Sequence, residues 1–309
     1  MASSSGQSIY EIGEEMKGYE KVLGDIKISP DNFWIIRIDG KKFSSFTSVF
    51  KQKGQFRNPA IAVSMELTAE DVLKEFNALT AYTQSDEITL VFAPKRYFYE
   101  KAIEKGEPVD VIENLKKLLE KNELPFNGKV QKIVSLAAGY TSARFNHHLQ
   151  TFMNDARPGT FEQKHMDRIG KAYFDARIFE LPTAELAWKC VMWRIKDAIR
   201  ASKNCFGYAH FSPKQLHKLT SEQVVKKVLD EKGLNYYDIE VREREGTVVK
   251  LQLRSRTTLN VKTNEYETIT RSGIIEMTTH DLKKGGIDLL FVKKLDSSFP
   301  LDSFKIIKE

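Results

Sequence analysis

Residues Phe33 to Ser44 read FWIIRIDGKKFS, and residues Tyr82 to Phe92 read YTQSDEITLVF. In the first stretch, Phe33, Trp34, Ile35, Ile36 and Ile38 form a short apolar run rich in β-branched and aromatic residues, which predicts a buried strand. It ends on Asp39-Gly40, with the basic pair Lys41-Lys42 behind it. In the second, the polar group Gln84, Ser85, Asp86 and Glu87 separates Ala81-Tyr82 from the alternating Ile88, Leu90 and Phe92. That is the pattern of a β-hairpin with acids at its tip. Side by side, the two stretches bring Asp39 and Asp86 to one sheet edge. Carboxylates and backbone carbonyls at a strand end are hard oxygen ligands suited to Mg²⁺. Two such ions can serve both the attacking and the leaving oxygen in phosphoryl transfer. The bland alternative is that Asp-Gly is a turn and Ser-Asp-Glu a polar hairpin tip.

Around these stretches the chain reads as a soluble α+β protein. It has 309 residues, 41% apolar and 29% charged, with a net charge of +6. That charge permits a polyanionic partner without demanding one. Cys190 and Cys205 supply neither a disulfide framework nor a zinc cluster and fit a reducing compartment. No apolar run reaches membrane-spanning length. The N-terminus lacks a hydrophobic segment, and Glu11, Glu14 and Glu15 count against a mitochondrial transit peptide. The expectation is a cytoplasmic protein with no membrane partner.

Residues 1–9 are small and polar and read as a disordered start; an amphipathic helix is predicted from Ile9 to Leu23. Asn58-Pro59 opens a helix over 59–77, with Ile61, Met65, Thr68, Val72 and Phe76 at helical spacing. Residues 94–126 are charged and mostly helical around a Gly-Glu-Pro break at 106–108, and read as a solvated helical insertion. Asn127-Gly128 opens the next helix, burying Val130, Ile133, Val134, Ala137, Ala138 and Phe145. Residues 172–182 read as a strand closed by Pro182. Thr183 caps a long helix to about Lys203, with Glu185 as its capping-box partner and a core stripe of Trp188, Met192 and Ile195. Pro213 begins a short helix, and Thr220 or Ser221 caps another that ends at Gly233. The tail alternates as strands over 237–245, 248–256 and 265–277. Strand, helix, hairpin, helix, strand is the β-α-β-β-α-β order of a ferredoxin-like palm. The predicted fold is therefore α+β: a ferredoxin-like polymerase palm with a helical insertion and a C-terminal α/β extension. The expected organisation is a catalytic domain over 1–232, with its insertion at about 94–126, and a β-rich extension over 233–309.

RIDGKKFSSF (37–46) and AYTQSDEITLVF (81–92) resemble the two signature segments of the tRNA(His) guanylyltransferase family, including its guanylyltransferase-like relatives. The resemblance covers roughly residues 25 to 232 and skips the insertion. It implies Asp39, the carbonyl of Gly40 and Asp86 as ligands of two Mg²⁺ ions, with Asp39 and Asp86 catalytic. It places nucleotide binding on Gly40, Lys41, Lys42, Phe43, Ser44 and Ser85, where a tight loop offers backbone N–H groups to an anion. Lys129 and Lys132, three residues apart at a helix N-terminus, match a basic pair in the family and would add phosphate contacts; solvated surface lysines are the alternative. The implied substrates are tRNA together with ATP and GTP or other nucleoside triphosphates, and the implied assembly is a homo-tetramer.

Other residues carry less. Glu87 reads as a supporting acid or a surface residue. His147-His148 read as exposed histidines at a helix end, and His210 and His217 as structural or tRNA-facing. Asp175 and Arg177 read as an ion pair steadying the sheet. The chain also departs from the family pattern. Guanylyltransferases proper carry an HINNLYN-type segment where this chain runs from Asp197 to Asn204 with neither its His nor its paired Asn residues. Ala201 replaces an Asn found in the like-proteins, and the Lys-Pro and acid expected before the first long helix are missing. The predicted function is thus metal-dependent 3′–5′ nucleotide addition to the 5′ end of tRNA, as templated repair or editing, after activation of that end by a triphosphate. Addition of a single G to histidine tRNA is the nearest alternative. A nucleotidyl cyclase on the same palm and a non-catalytic RNA-binding protein stand behind it.

Overall fold

Ile35, Ile36 and Ile38 are completely buried, and the run Phe33–Gly40 forms strand β1. The computed structural model describes residues 9–121, 123–260 and 265–296, so the small polar start at 1–8 lies outside the described residues. The longer helices are α1 (Ile9–Gly24), α2 (Pro59–Glu75), α3 (Lys95–Lys105), α4 (Val109–Glu120), α5 (Val130–Asp155), α6 (Ala184–His210), α7 (Ser221–Lys232) and α8 (Thr279–Phe291). After β1 come strands β2 (Thr80–Gln84), β3 (Glu87–Phe92), β4 (Phe174–Leu181), β5 (Thr247–Asn260), β6 (Glu265–Thr278) and β7 (Lys294–Leu295).

The strands form one sheet in the order β4-β1-β3-β2-β5-β6, with β7 beside β5. Strand β1 lies antiparallel to both β3 and β4, with Asp39 opposite Glu87 on one side and Gly40 opposite Phe174 on the other. Successive side chains of β1 point to opposite faces. Trp34, Ile36 and Ile38 therefore pack with Met65, Val72 and Leu73 of α2 and Ile133, Ala137 and Phe145 of α5. Phe33 joins Val91 on the other face, against Ala187, Val191 and Ile195 of α6 and Leu289 to Phe291 of α8. The result is a mixed α+β architecture with a sheet between helical layers.

Local chemistry sets the boundaries. The Asn58 side chain caps α2 by accepting from the Ala60 N–H at 3.0 Å, with Pro59 at the first helical position. Gly106 ends α3 in the left-handed region and Pro108 precedes α4, so 94–126 is the expected helical pair. Thr183 caps α6 through the Leu186 N–H at 3.3 Å, which puts Glu185 at the second helical position, one residue short of a capping box. Helix α6 runs seven residues past Lys203, because Phe206 and Phe211 pack with Leu216 and with Val224 and Val228 of α7.

The segment 237–245, expected as a strand, instead forms two helical turns, Tyr236–Asp238 and Val241–Glu245. Asn235 starts the first by accepting from the Tyr237 N–H at 3.1 Å, and Arg244 Nε closes back onto the Ile239 carbonyl at 2.8 Å. These local bonds win over a mixed polar-apolar alternation. The tail then continues the main sheet, pairing β5 with β2 over Ala81–Thr83. Among the described residues no helix is long and apolar enough to cross a membrane.

Candidate active site

The acids meet where β1 and the hairpin end together. Gln84 and Glu87 are paired strand residues, so the hairpin turn is only Ser85-Asp86. The Gly40 N–H donates to the Asp86 carbonyl at 3.0 Å, fixing β1 against that turn. A methyl group at Gly40 would lie 2.4 Å from Cδ2 of Phe43 and 3.0 Å from Cβ of Asp86, so only glycine lets the two acids approach. Ser85 sits in the left-handed region, φ 57°, unusual for a residue with a side chain. Its N–H donates to Gln84 Oε1 and its hydroxyl to Asp86 Oδ1, each at 2.9 Å. Strained backbone held by such bonds is a mark of a functional position.

The electrostatics separate three neighbouring carboxylates. Burial pushes the Asp86 carboxyl above the usual aspartate range, the Ser85 hydroxyl draws it back, and the negative charge of Asp39 pushes it up again. Among the described residues neither Asp39 nor Asp86 has an ion-pair partner. Glu87, one residue on, accepts two bonds from Arg194 at 2.6 and 2.5 Å, with both side chains 15% exposed. Arg194 also reaches Asp197 at 3.3 Å. Glu87 is therefore committed to a guanidinium, while Asp39 and Asp86 present a close, uncompensated pair. Paired carboxylate oxygens of this kind are what a hard divalent cation takes as ligands. Among the described residues no group of three or more His, Cys, Asp or Glu side chains gathers for a metal, so any further ligands would come from water or phosphate.

A cavity of about 400 Å³ opens over these acids. Its floor is Asp39, Ser85, Asp86 and Glu87; Phe43, Ser44 and the 47–58 loop form one wall, and Arg194, Ala198, Ala201 and Cys205 of α6 form another. Two amides of the expected phosphate cradle are already in use: Gly40 N–H on Asp86, and Lys41 N–H on the Tyr173 carbonyl at 2.8 Å. Lys42, at φ 52°, turns the chain into the helical turn Phe43–Phe46, whose first N–H groups have no intrahelical acceptor. Phe43 is buried against Phe46, Phe145 and Phe174 and anchors this turn. Lys41 and Lys42 are exposed and do not line the cavity.

A sequence profile described as tRNAHis guanylyltransferase matches residues 13–182, more than half of the chain. The chain belongs to this family. An uncharacterised protein of Acanthamoeba polyphaga mimivirus is 32% identical over 247 residues, covering 78% of this chain and 77% of that protein. A bacterial tRNA(His) guanylyltransferase-like protein in complex with ATP shares the fold, with a TM-score of 0.59 and 23% identity over 84% of this chain and 91% of that one. A like-protein in complex with GTP superposes with a TM-score of 0.56 and 19% identity over 91% and 99% of the two chains. The tRNA(His) guanylyltransferase of Saccharomyces cerevisiae does so with 0.52 and 16% identity over 72% and 87%.

Measured against the family pattern, the structure brings together Asp39, Gly40, Ser44, Ser85 and Asp86 but not Lys129 and Lys132. The N-terminus of α5 is clipped to the segment before β1, through Ile28 N–H to the Gly128 carbonyl at 3.0 Å and Val130 N–H to the Ile26 carbonyl at 2.9 Å. The acids lie at the other end of β1. The level of Gly40 and Phe174 is reached on α5 only at Ser142, whose hydroxyl accepts from the Phe174 N–H at 3.1 Å. Twelve residues at 1.5 Å each put the start of α5 about 18 Å short of that level. Lys129 there pairs with Asp25 at 2.9 Å, and the Lys132 ammonium lies 5.3 Å from the Phe126 ring centre.

Elsewhere His148 sits mid-helix and is half-buried, with its Nε2 2.6 Å from an Asp71 oxygen that also accepts from Arg144; of this pair His147 is the exposed one. Asp175 and Arg177 do pair, at 3.2 Å. Two contributions had no readable sequence signal. The Tyr82 hydroxyl donates to the Glu245 carbonyl at 2.6 Å and Gln84 Nε2 to the Arg244 carbonyl at 3.1 Å, so the tail braces the hairpin from behind. Gly246, at φ 89°, permits this, since a Cβ there would lie 2.4 Å from the Thr83 carbonyl. The second is Arg57, which enters the cavity wall from the basic, Gly-containing loop Lys51 to Arg57.

Proposed function

We propose that this chain is a Mg²⁺-dependent nucleotidyltransferase that adds nucleotides to the 5′ end of tRNA in the 3′–5′ direction, directed by the opposing strand. One observation carries the reading: two adjacent carboxylates that have no ion-pair partner among the described residues, at the floor of a nucleotide-sized cavity, in a member of this family. Asp39, Asp86 and the Gly40 carbonyl would hold the ions. Bound there, Mg²⁺ supplies charge for the phosphate oxygens of the reacting groups.

The chain's own residues do the positioning. Gly40 sets the distance between the acids, Ser85 orients Asp86, and the first N–H groups of the Phe43–Phe46 turn would be donors for a phosphate. Relatives hold ATP and GTP, which supports nucleoside triphosphates as substrates. The β-α-β-β-α-β segment is the catalytic palm, within residues 1–232, and 233–309 extends it. The wall from α6 presents Ala198 and Ala201, within the 197–204 segment that lacks the His and paired Asn residues of the guanylyltransferases proper. That favours selection of the incoming nucleotide by pairing with the acceptor stem over a dedicated reader for histidine tRNA.

The test is incubation of a tRNA lacking its first 5′ nucleotide with Mg²⁺, ATP and all four nucleoside triphosphates, with products mapped at the 5′ end. G should enter opposite C, and U when that base is changed to A. Addition of G alone, whatever the opposing base and only on histidine tRNA, supports the single-G reading instead.

A further inference from the structure

We infer that Arg57 is the cation that binds the phosphate chain of the nucleotide in this cavity, an inference that rests on the cavity being a nucleotide site. The acids at its floor repel a triphosphate, so the walls must supply positive charge. Arg194 cannot, being committed to Glu87 and Asp197. Lys51 is on the exposed rim. Arg57 lines the main cavity and also a small cleft behind the hairpin, and Ser85 lines both, so Arg57 shares its two linings with the turn that carries Asp86.

Its surroundings are those of a ligand-binding cation rather than a structural one. Among the described residues no carboxylate lies within ion-pair distance of Arg57. Burial pushes its pKa below the ordinary arginine value, and the charge of Glu243 draws it back up without forming a pair. Its guanidinium carbon lies 5.4 Å from the Phe56 ring centre, so one face is covered and the N–H edge remains to donate. A partly buried cation without an anion is costly unless a ligand completes it. A planar fork of N–H donors matches two phosphate oxygens at once.

The experiment measures equilibrium binding of GTP, inorganic tripolyphosphate and guanosine to the full chain, to Arg57→Gln and to Arg57→Lys, with thermal unfolding of each. Wild type should bind GTP and tripolyphosphate. Arg57→Gln should weaken both by roughly ten- to a hundredfold while leaving guanosine unchanged, and Arg57→Lys should recover part of the loss. Tripolyphosphate binding to folded Arg57→Gln at the wild-type level overturns the inference alone. An equal loss for guanosine also overturns it, because Arg57 would then contact the base. Failure of wild type to bind GTP at all defeats the nucleotide-site reading itself.

Discussion

Substituting Gly40 by alanine is the sharpest perturbation of how the fold makes the site. The added methyl group would sit 2.4 and 2.8 Å from two carbons of the Phe43 ring. Carbon atoms rest at about 3.5–4.0 Å, so one neighbour must retreat by roughly 1 Å. Phe43 has nowhere to go: it is buried among Phe46, Phe145 and Phe174, with ring centres at 5.1, 5.3 and 5.4 Å. The displacement therefore falls in part on the hairpin, where Asp86 Cβ lies 3.0 Å from the new group. Overpacking of this kind costs about 1–3 kcal/mol, a fall of several degrees in Tm. A shift of about 1 Å between reacting groups costs on the order of a hundredfold in rate. Gly40→Ala should thus lose far more activity than stability, read by 5′-end nucleotide incorporation beside thermal unfolding. Phe43→Leu in the same chain should restore part of both by clearing the ring. A Gly40→Ala protein with wild-type Tm and wild-type incorporation refutes the geometric argument.

Three further outcomes follow from the structure. Arg194→Met leaves the Glu87 carboxylate without its partner and should cost about 3–5 kcal/mol in urea unfolding, with Glu87→Gln added to it recovering most of the loss; no recovery means the pair is not what stabilises the hairpin. Burial, then the charge of Glu276, pushes the Glu70 carboxyl up to about 7, so the folded state keeps a proton that the unfolded chain releases near 4.5. Stability should fall as pH rises between those values and level off above 7, by on the order of 2–3 kcal/mol, and Glu70→Gln should remove that slope; an unchanged slope in urea titrations at pH 5 and 8 contradicts it. Lys129→Ala removes only an exposed pair with Asp25 and should leave nucleotide affinity and Tm unchanged, whereas a weakened nucleotide affinity would return Lys129 to the site.

The strand, the hairpin and the meeting of Asp39 and Asp86 at one sheet edge were legible because each rests on local pattern. β-branched runs predict β1, alternation predicts β3, and Asn58-Pro59 predicts the start of α2. The helix starts at Asn58 and Thr183 were legible, with a one-residue slip at Glu185, but the end of α6 was not. What sequence could not supply was the end of the sheet at which a residue lands. Lys129 and Lys132 read as phosphate contacts from their place at a helix start, yet α5 begins at the far end of β1 from Asp39. Arg57 reads as one more cation in a basic loop, and only tertiary placement puts it beside Ser85. The alternation at 237–245 gave way to side-chain bonds from Asn235 and Arg244, and the turn at Gly246 gave no hint that it braces the hairpin.

The most direct test of the central claim compares Asp39→Asn and Asp86→Asn with wild type in Mg²⁺-supported incorporation into the 5′ end of a shortened tRNA, alongside thermal unfolding of each. Asparagine keeps the shape and removes the charge that would hold the ions. Each variant should unfold at or above the wild-type temperature, since neutralising one acid relieves its repulsion of the other. Incorporation should drop by about a thousandfold or more. Folded variants that incorporate nucleotides at close to the wild-type rate would show that the two carboxylates do not hold the catalytic ions.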